Sequence, residues 1–185
     1  MAGSTVVQVT DDAPNGGVAA ALLGAVQHLI LQMSNRTNSS AAIAIATTKS
    51  KVQAVTTSTS YTVDGAQLAL AATDNFWTLT GATLTAGQVN KYLLLCDASG
   101  TASCIAGTPS TTAAGVTFAP VVSGGHAYPS PGPSLCILGQ VQVTCNSSTF
   151  VPGTTLLDAA TITVVYRNGF EALATGASYP AEYGL

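Results

Sequence analysis

Charge is what this sequence lacks. Its 185 residues hold five Lys or Arg and eight Asp or Glu, 7% in all, against ~25% in ordinary globular domains. From Ala98 to Leu157 there is no charged residue at all. Nucleic-acid binding is excluded first, because its affinity rests on neutralising phosphates with basic side chains, and this chain carries a net charge of −3. Enzymes that work through clusters of acids and bases are disfavoured for the same reason. A charge-poor surface also gives little electrostatic protection against association, which suits a protein held in a permanent assembly.

Other absences narrow the field. Only two histidines occur, His28 in an expected helix and His126 in a loop, and neither has an acid nearby in sequence to orient it. No Gly-x-Ser-x-Gly elbow, EF-hand spacing, P-loop or Gly-x-Gly-x-x-Gly turn appears, so no catalytic, metal or cofactor residues are assigned. Asp11 and Asp12 read as helix caps, and Asp64 and Asp158 as turn formers. The four cysteines, Cys96, Cys104, Cys136 and Cys145, lack the clustered spacing of a zinc site or a disulfide-dense scaffold, and free, mostly buried thiols are expected. The start of the chain has no basic segment before an apolar run, so no secretory signal is expected. The longest apolar segment, Gly17–Met33, is broken by Gln27, His28 and Gln32 and falls short of the ~20 residues that span a bilayer. A soluble, intracellularly made protein without membrane contact is expected. The sequons at Asn35, Asn38 and Asn146 then read as chance matches in a Ser/Thr-rich chain. No internal repeat of 20–50 residues is present, against a solenoid or propeller.

What is present is small. Ala, Thr, Gly and Ser fill almost half of the chain, while 47% of residues are hydrophobic. That apolar fraction with low net charge favours an ordered chain over a disordered one. Small side chains bury little area each, and burial is worth ~25 cal/mol per Å², so association is expected to supply part of the stability.

The apolar period changes along the chain. Ser4–Thr10 alternates and is expected as a short strand or arm. Val18, Leu22, Val26, Leu29, Ile30 and Met33 recur at helical steps, which predicts a helix over about 17–33. Ser34–Ser40 reads as a linker, giving an N-terminal arm and helix over 1–40 and a β domain over 41–185. From Ala41 the period is two. Strands are expected around Ile43–Ile45 and Lys51–Val55, then a hairpin over Tyr61–Leu68 turning at Asp64-Gly65. Phe76–Leu79 follows, then a second hairpin over Lys91–Ala106 turning at Asp97–Gly100, then strands at Leu135–Thr144 and Ala160–Arg167. In the last, Ile162, Val164 and Tyr166 share one face. Many short strands with regular turns predict a mainly β protein, an antiparallel β-sandwich or jelly-roll-like domain with one N-terminal helix. Gly107–Ser134, rich in Gly, Pro, Ser and Thr, is expected as a long loop or extended arm. The C-terminal run Ala177–Leu185 is expected as an extended tail. Trp77, the only tryptophan, is expected in the core rather than on a sugar.

Three stretches carry a resemblance: Tyr61–Asn75 (YTVDGAQLALAATDN), Thr85–Gly100 (TAGQVNKYLLLCDASG) and Phe150–Ala160 (FVPGTTLLDAA). Together they resemble small virion proteins of tailed bacteriophages, among the capsid decoration (cement) and head-fibre proteins, over roughly Lys49–Arg167. The resemblance implies a non-enzymatic outer capsid protein, located on the virion exterior after assembly in the host cytoplasm. It also implies the major capsid protein as partner and a homo-oligomer, a dimer or trimer. No site residues carry over, because binding in such proteins is spread over a surface. The alternative is a fibre or adhesin module that binds a host glycan or receptor, although the chain shows neither the long coiled coil nor the repeats of a fibre.

Overall fold

A computed structural model describes residues 35–118, 121–123, 126–128 and 135–169. The expected strand at Ser4–Thr10, the helix over 17–33 and the tail Ala177–Leu185 lie outside the described residues. Twelve strands are described: β1 Arg36–Thr37, β2 Ile43–Ile45, β3 Lys51–Val63, β4 Ala66–Thr78, β5 Leu84–Thr85, β6 Val89–Asp97, β7 Ala102–Ala106, β8 Val121–Ser123, β9 His126–Tyr128, β10 Leu135–Cys145, β11 Thr149–Phe150 and β12 Ile162–Asn168. The protein is mainly β, and every strand pairing described is antiparallel.

Two four-stranded sheets dominate. In the first, β3 is central. It pairs with β4 along one edge, and its other edge is shared between β2, opposite 52–54, and β1, opposite 61–62. The second runs β12-β10-β6-β7. Local turn chemistry fixes both long hairpins. Asp64 (φ 50°) and Gly65 (φ 79°) adopt the two positive φ values of a type I′ turn, whose twist matches that of the strands it joins. At the second hairpin Gly100 takes φ 81°, and Asp97 N donates to Thr101 O at 3.1 Å.

Two irregularities depart from the alternation in the sequence. In β10 the register slips between Ile137 and Gly139, so the buried residues change phase, from Cys136 and Leu138 before the bulge to Val141, Val143 and Cys145 after it. A one-residue insertion is what moves a side-chain set to the opposite face. Ala66–Leu68 and the expected separate strand Phe76–Leu79, its last residue excepted, belong to one 13-residue strand. Its alternation is interrupted at Asp74 and Asn75 (φ 53°), whose Oδ1 atoms accept from Thr47 N and Thr48 N, each at 2.9 Å.

The two sheets share one buried cluster that includes Val52, Tyr61, Val63, Trp77, Tyr92, Leu94, Leu138, Val141 and Phe150. Polar side chains of the first sheet also reach backbone carbonyls of the second. Trp77 Nε1 donates to Leu95 O at 2.9 Å, Tyr61 OH to Asp97 O at 3.1 Å, and Thr37 Oγ1 to Ile137 O. In the other direction Asn168 Oδ1 accepts from Ile43 N at 3.0 Å. Buried polar groups must be partnered, and here the partner is the facing sheet, which fixes the relation of the two.

The expected linker and the expected long loop are both more structured than their composition suggests. Segment 35–40 carries β1, and Asn38 N and Ser39 N both donate to Ser60 O. In the Gly107–Ser134 stretch, Ser110 exchanges two backbone hydrogen bonds with Val89, at 2.7 and 2.9 Å, and Gly107 N donates to Lys91 O at 2.8 Å. A single 3₁₀ turn, Ala113–Gly115, follows the cap Thr112, and Val116 is buried. Further on, β8 and β9 form a hairpin. The start of the expected arm, at Gly107 and Ser110, is therefore bonded to the domain's own β6.

Candidate interaction surface

The few carboxylates are largely committed to local structure. Asp97 Oδ1 accepts from Ser99 N (2.8 Å), Ser99 Oγ (2.7 Å) and Thr101 N (2.8 Å). These bonds, that from the Ser99 hydroxyl above all, hold its carboxyl below the ordinary carboxylate range, since donors to an anion favour the charged form. Asp74 is lowered for the same reason, chiefly by Thr47 N. Asp64 sits in the hairpin turn. Asp158 faces Lys49 at 3.8 Å, with both side chains about half exposed, a geometry that contributes little. Each acid expected at a turn is at one.

Candidates for chemistry meet the same outcome. Trp77 is buried in the shared cluster and its indole N–H is bonded, so the side chain best suited to stack on a sugar is a core residue. All four cysteines are free; Cys96, Cys136 and Cys145 are buried and Cys104 is half-buried. Cys96 and Cys136 are cross-strand partners on β6 and β10. Cys96 Sγ donates to Tyr61 OH at 3.5 Å, and Cys136 Sγ lies 3.6 Å from Thr37 Oγ1. Burial pushes the Cys136 thiol up to about 11 and also raises Cys96 and Cys104, so these sulfurs are protonated at neutral pH and are weak nucleophiles. Two of the sequon asparagines hold local contacts: Asn38 Nδ2 donates to Thr62 Oγ1 and Asn146 Nδ2 to Thr163 Oγ1, both at 2.9 Å. Asn35 Oδ1 accepts from Asp64 N at 2.7 Å. Among the described residues no group of three or more His, Cys, Asp or Glu is placed to hold a metal ion, and no helix is long and apolar enough to cross a membrane. His28 lies outside the described residues, and His126 opens β9.

Uncharged surface also remains for contact. Among the described residues, Val55, Val151, Leu156 and Val165 are the exposed large hydrophobics, with Leu156 at 51%. Val151 and Leu156 lie on the β11–β12 loop. That loop is held by Leu157 N donating to Lys49 O at 2.8 Å and by Thr155 Oγ1 accepting from Val151 N at 2.9 Å. A second uncharged surface was not apparent as one feature from sequence. Among the described residues, strand β4 is an edge of its sheet. Between the Asp64-Gly65 turn and the Asp74-Asn75 kink, its residues 66–73 contain no charge, no Pro and no Gly, the devices that usually blunt an edge. The sequence signal available for it was the charge-free interval between Asp64 and Asp74.

No protein-family model matches this chain, and no characterised protein and no solved structure was found to match it.

Proposed function

We propose that this protein is a structural component of a virion: a cement or decoration protein that binds the outer surface of the major capsid shell and reinforces it. The two four-stranded sheets around one core support reading the domain as a β-sandwich or jelly-roll-like unit. The observation that carries the proposal is where the charge goes. The described acids are placed in turns and kinks, while the β11–β12 loop and all of 98–157 carry none or next to none. Such a surface holds a partner by area and backbone hydrogen bonding, the mode suited to permanent assembly. The resemblance of segments 61–75, 85–100 and 150–160 to capsid decoration and head-fibre proteins of tailed phages suggests the kind of partner. The glycan-binding alternative loses its best side chain, since Trp77 is in the core.

The test is copy number together with reinforcement. Purified virions of the genome that encodes the chain are digested and the chain is quantified against the major capsid protein. Hundreds of copies per particle, with heat resistance lost when the gene is deleted, support the cement reading. A dozen copies point to a fibre, and absence from the particle rejects both.

A further inference from the structure

The edge of β4 carries an inference about assembly. In the hairpin, Val63 and Ala66 flank the two-residue turn, so they exchange the first hydrogen-bonded pair. Ala66, Leu68 and Leu70 then bond inward to β3, while Gln67, Ala69 and Ala71 direct their N–H and C=O groups away from it. Among the described residues no strand pairs with this side of β4. Among the described residues the hydrogen bond on that side is local: Thr73 Oγ1 donates to Ala71 O at 2.9 Å, which leaves that carbonyl a second lone pair. Leu68 is half-buried and Leu70 buried on the core-facing side, whereas Gln67, Ala69 and Ala71 are exposed on the other.

An occupant of this edge must be extended, uncharged, and short enough to fit between a turn and a kink. The same segment of a second copy meets all three conditions. We propose that two copies of the chain pair antiparallel through β4, about a two-fold axis at Ala69. Only odd-numbered residues offer outward backbone groups, so only registers that pair odd with odd form hydrogen bonds. Centring on Ala69 pairs Ala69 with its own mate and Gln67 with the mate's Ala71. It also sets Leu68 opposite the mate's Leu70 twice, in the closer non-hydrogen-bonded positions where cross-strand side chains interact best. All of residues 66–72 are then paired, and the small side chains at 69 and 71 present no steric or electrostatic obstacle. The two first sheets become one continuous sheet. This inference rests on the β4 edge alone and is independent of the capsid reading.

The test uses the purified full-length chain in analytical ultracentrifugation. The wild type is expected as a dimer at micromolar concentration. Ala69→Lys and Ala69→Glu each set like charges opposite one another at the axis and are expected to weaken dimerisation about a hundredfold. Mixed in equal amounts, they are expected to recover the dimer as a heterodimer, a result that misfolding cannot produce. Position 69 is exposed and its backbone N–H is not used by β3, so both variants should retain the wild-type circular dichroism. Under mild oxidation Ala69→Cys is expected to cross-link to itself, because hydrogen-bonded pairs place Cα atoms ~5.5 Å apart. Gln67→Cys, displaced from the axis, is not. A monomeric wild type overturns the proposal, whether its edge is free or covered by another part of its own chain. Dimers unaffected by both charges overturn it too, as does cross-linking at 67 equal to that at 69.

Discussion

The indole of Trp77, on β4, donates to the carbonyl of Leu95, on β6, at 2.9 Å, so the only tryptophan hydrogen-bonds from one sheet to the other from within the core. Its removal therefore has two separable parts. Trp77→Phe keeps most of the apolar volume but strands a buried carbonyl, and is expected to cost about 1–3 kcal/mol. Trp77→Ala adds a cavity and is expected to cost about 3–5 kcal/mol or more. Urea unfolding followed by far-ultraviolet circular dichroism separates them; fluorescence does not, since both variants lose the fluorophore. Equal losses would mean that the ring contributes nothing beyond the hydrogen bond, and an undisturbed Trp77→Phe would mean that the hydrogen bond contributes nothing.

Gly139 marks the β10 bulge, and its place there is steric. A Cβ at this position would stand 1.9 Å from Ile43 Cδ1 and 2.6 Å from Arg167 O. One neighbour is the end of a flexible side chain; the other is strand backbone. Gly139→Ala is expected to destabilise by about 1–3 kcal/mol through overpacking. Adding Ile43→Val removes the first clash only, so the double variant should recover part of the loss relative to the sum of the single variants. Full additivity in a double-mutant cycle would show that Ile43 is not the obstacle.

These two residues also mark what sequence did and did not disclose. The hairpins at Asp64-Gly65 and Asp97–Gly100 were legible because turn chemistry is local: a residue pair that tolerates positive φ specifies its own geometry. Trp77 in the core was legible from its strand. The need for glycine at 139 was not, because the atoms that crowd it belong to Ile43 and Arg167, distant in sequence. Asp74 and Asn75 interrupted the alternation of β4 and made one strand look like two, since their partners, Thr47 and Thr48, lie 27 residues earlier. Segment 107–117 looked like a loose arm because its ties to Val89 and Lys91 use backbone atoms, which leave no mark in composition. The β4 edge was hidden for a different reason: whether a strand lies at an edge depends on its neighbours and not on its own residues.

Alkaline stability follows from the buried thiols and phenols. Burial raises Cys136 from an ordinary value near 9 to about 11, and raises Tyr92 and Tyr166 from 10.0 to about 12. A group whose proton is held more tightly in the folded state contributes stability that is full below its unfolded value and is lost as pH rises toward its folded one. Stability is thus expected to be level from neutral pH to about 8.5, to fall from about 9 as Cys136 is linked, and to fall further above 10 as the tyrosines join. Urea midpoints at stepped pH measure this. Cys136→Ser should alter the onset near 9 and leave the tyrosine part in place. A midpoint unchanged between pH 8 and 11 would contradict the burial of these groups.

Association with a capsid is expected to be insensitive to salt. Exposed charges lose their mutual influence as the Debye length shrinks from ~10 Å at 0.1 M to ~3 Å at 1 M. An interface built from the Val151–Leu156 loop and other uncharged segments has little for salt to screen, and apolar burial is the term that remains. Occupancy on particles should therefore be the same after washing at either end of that range. Leu156→Asp places a charge on a side chain that is 51% exposed. If its loop lies in the interface, this variant should lower occupancy while leaving the unfolding midpoint of the free protein within about 0.5 kcal/mol of wild type. Release of the wild type by moderate salt would show that ionic contacts hold it. A Leu156→Asp variant that occupies the shell as fully as wild type would remove this loop from the interface.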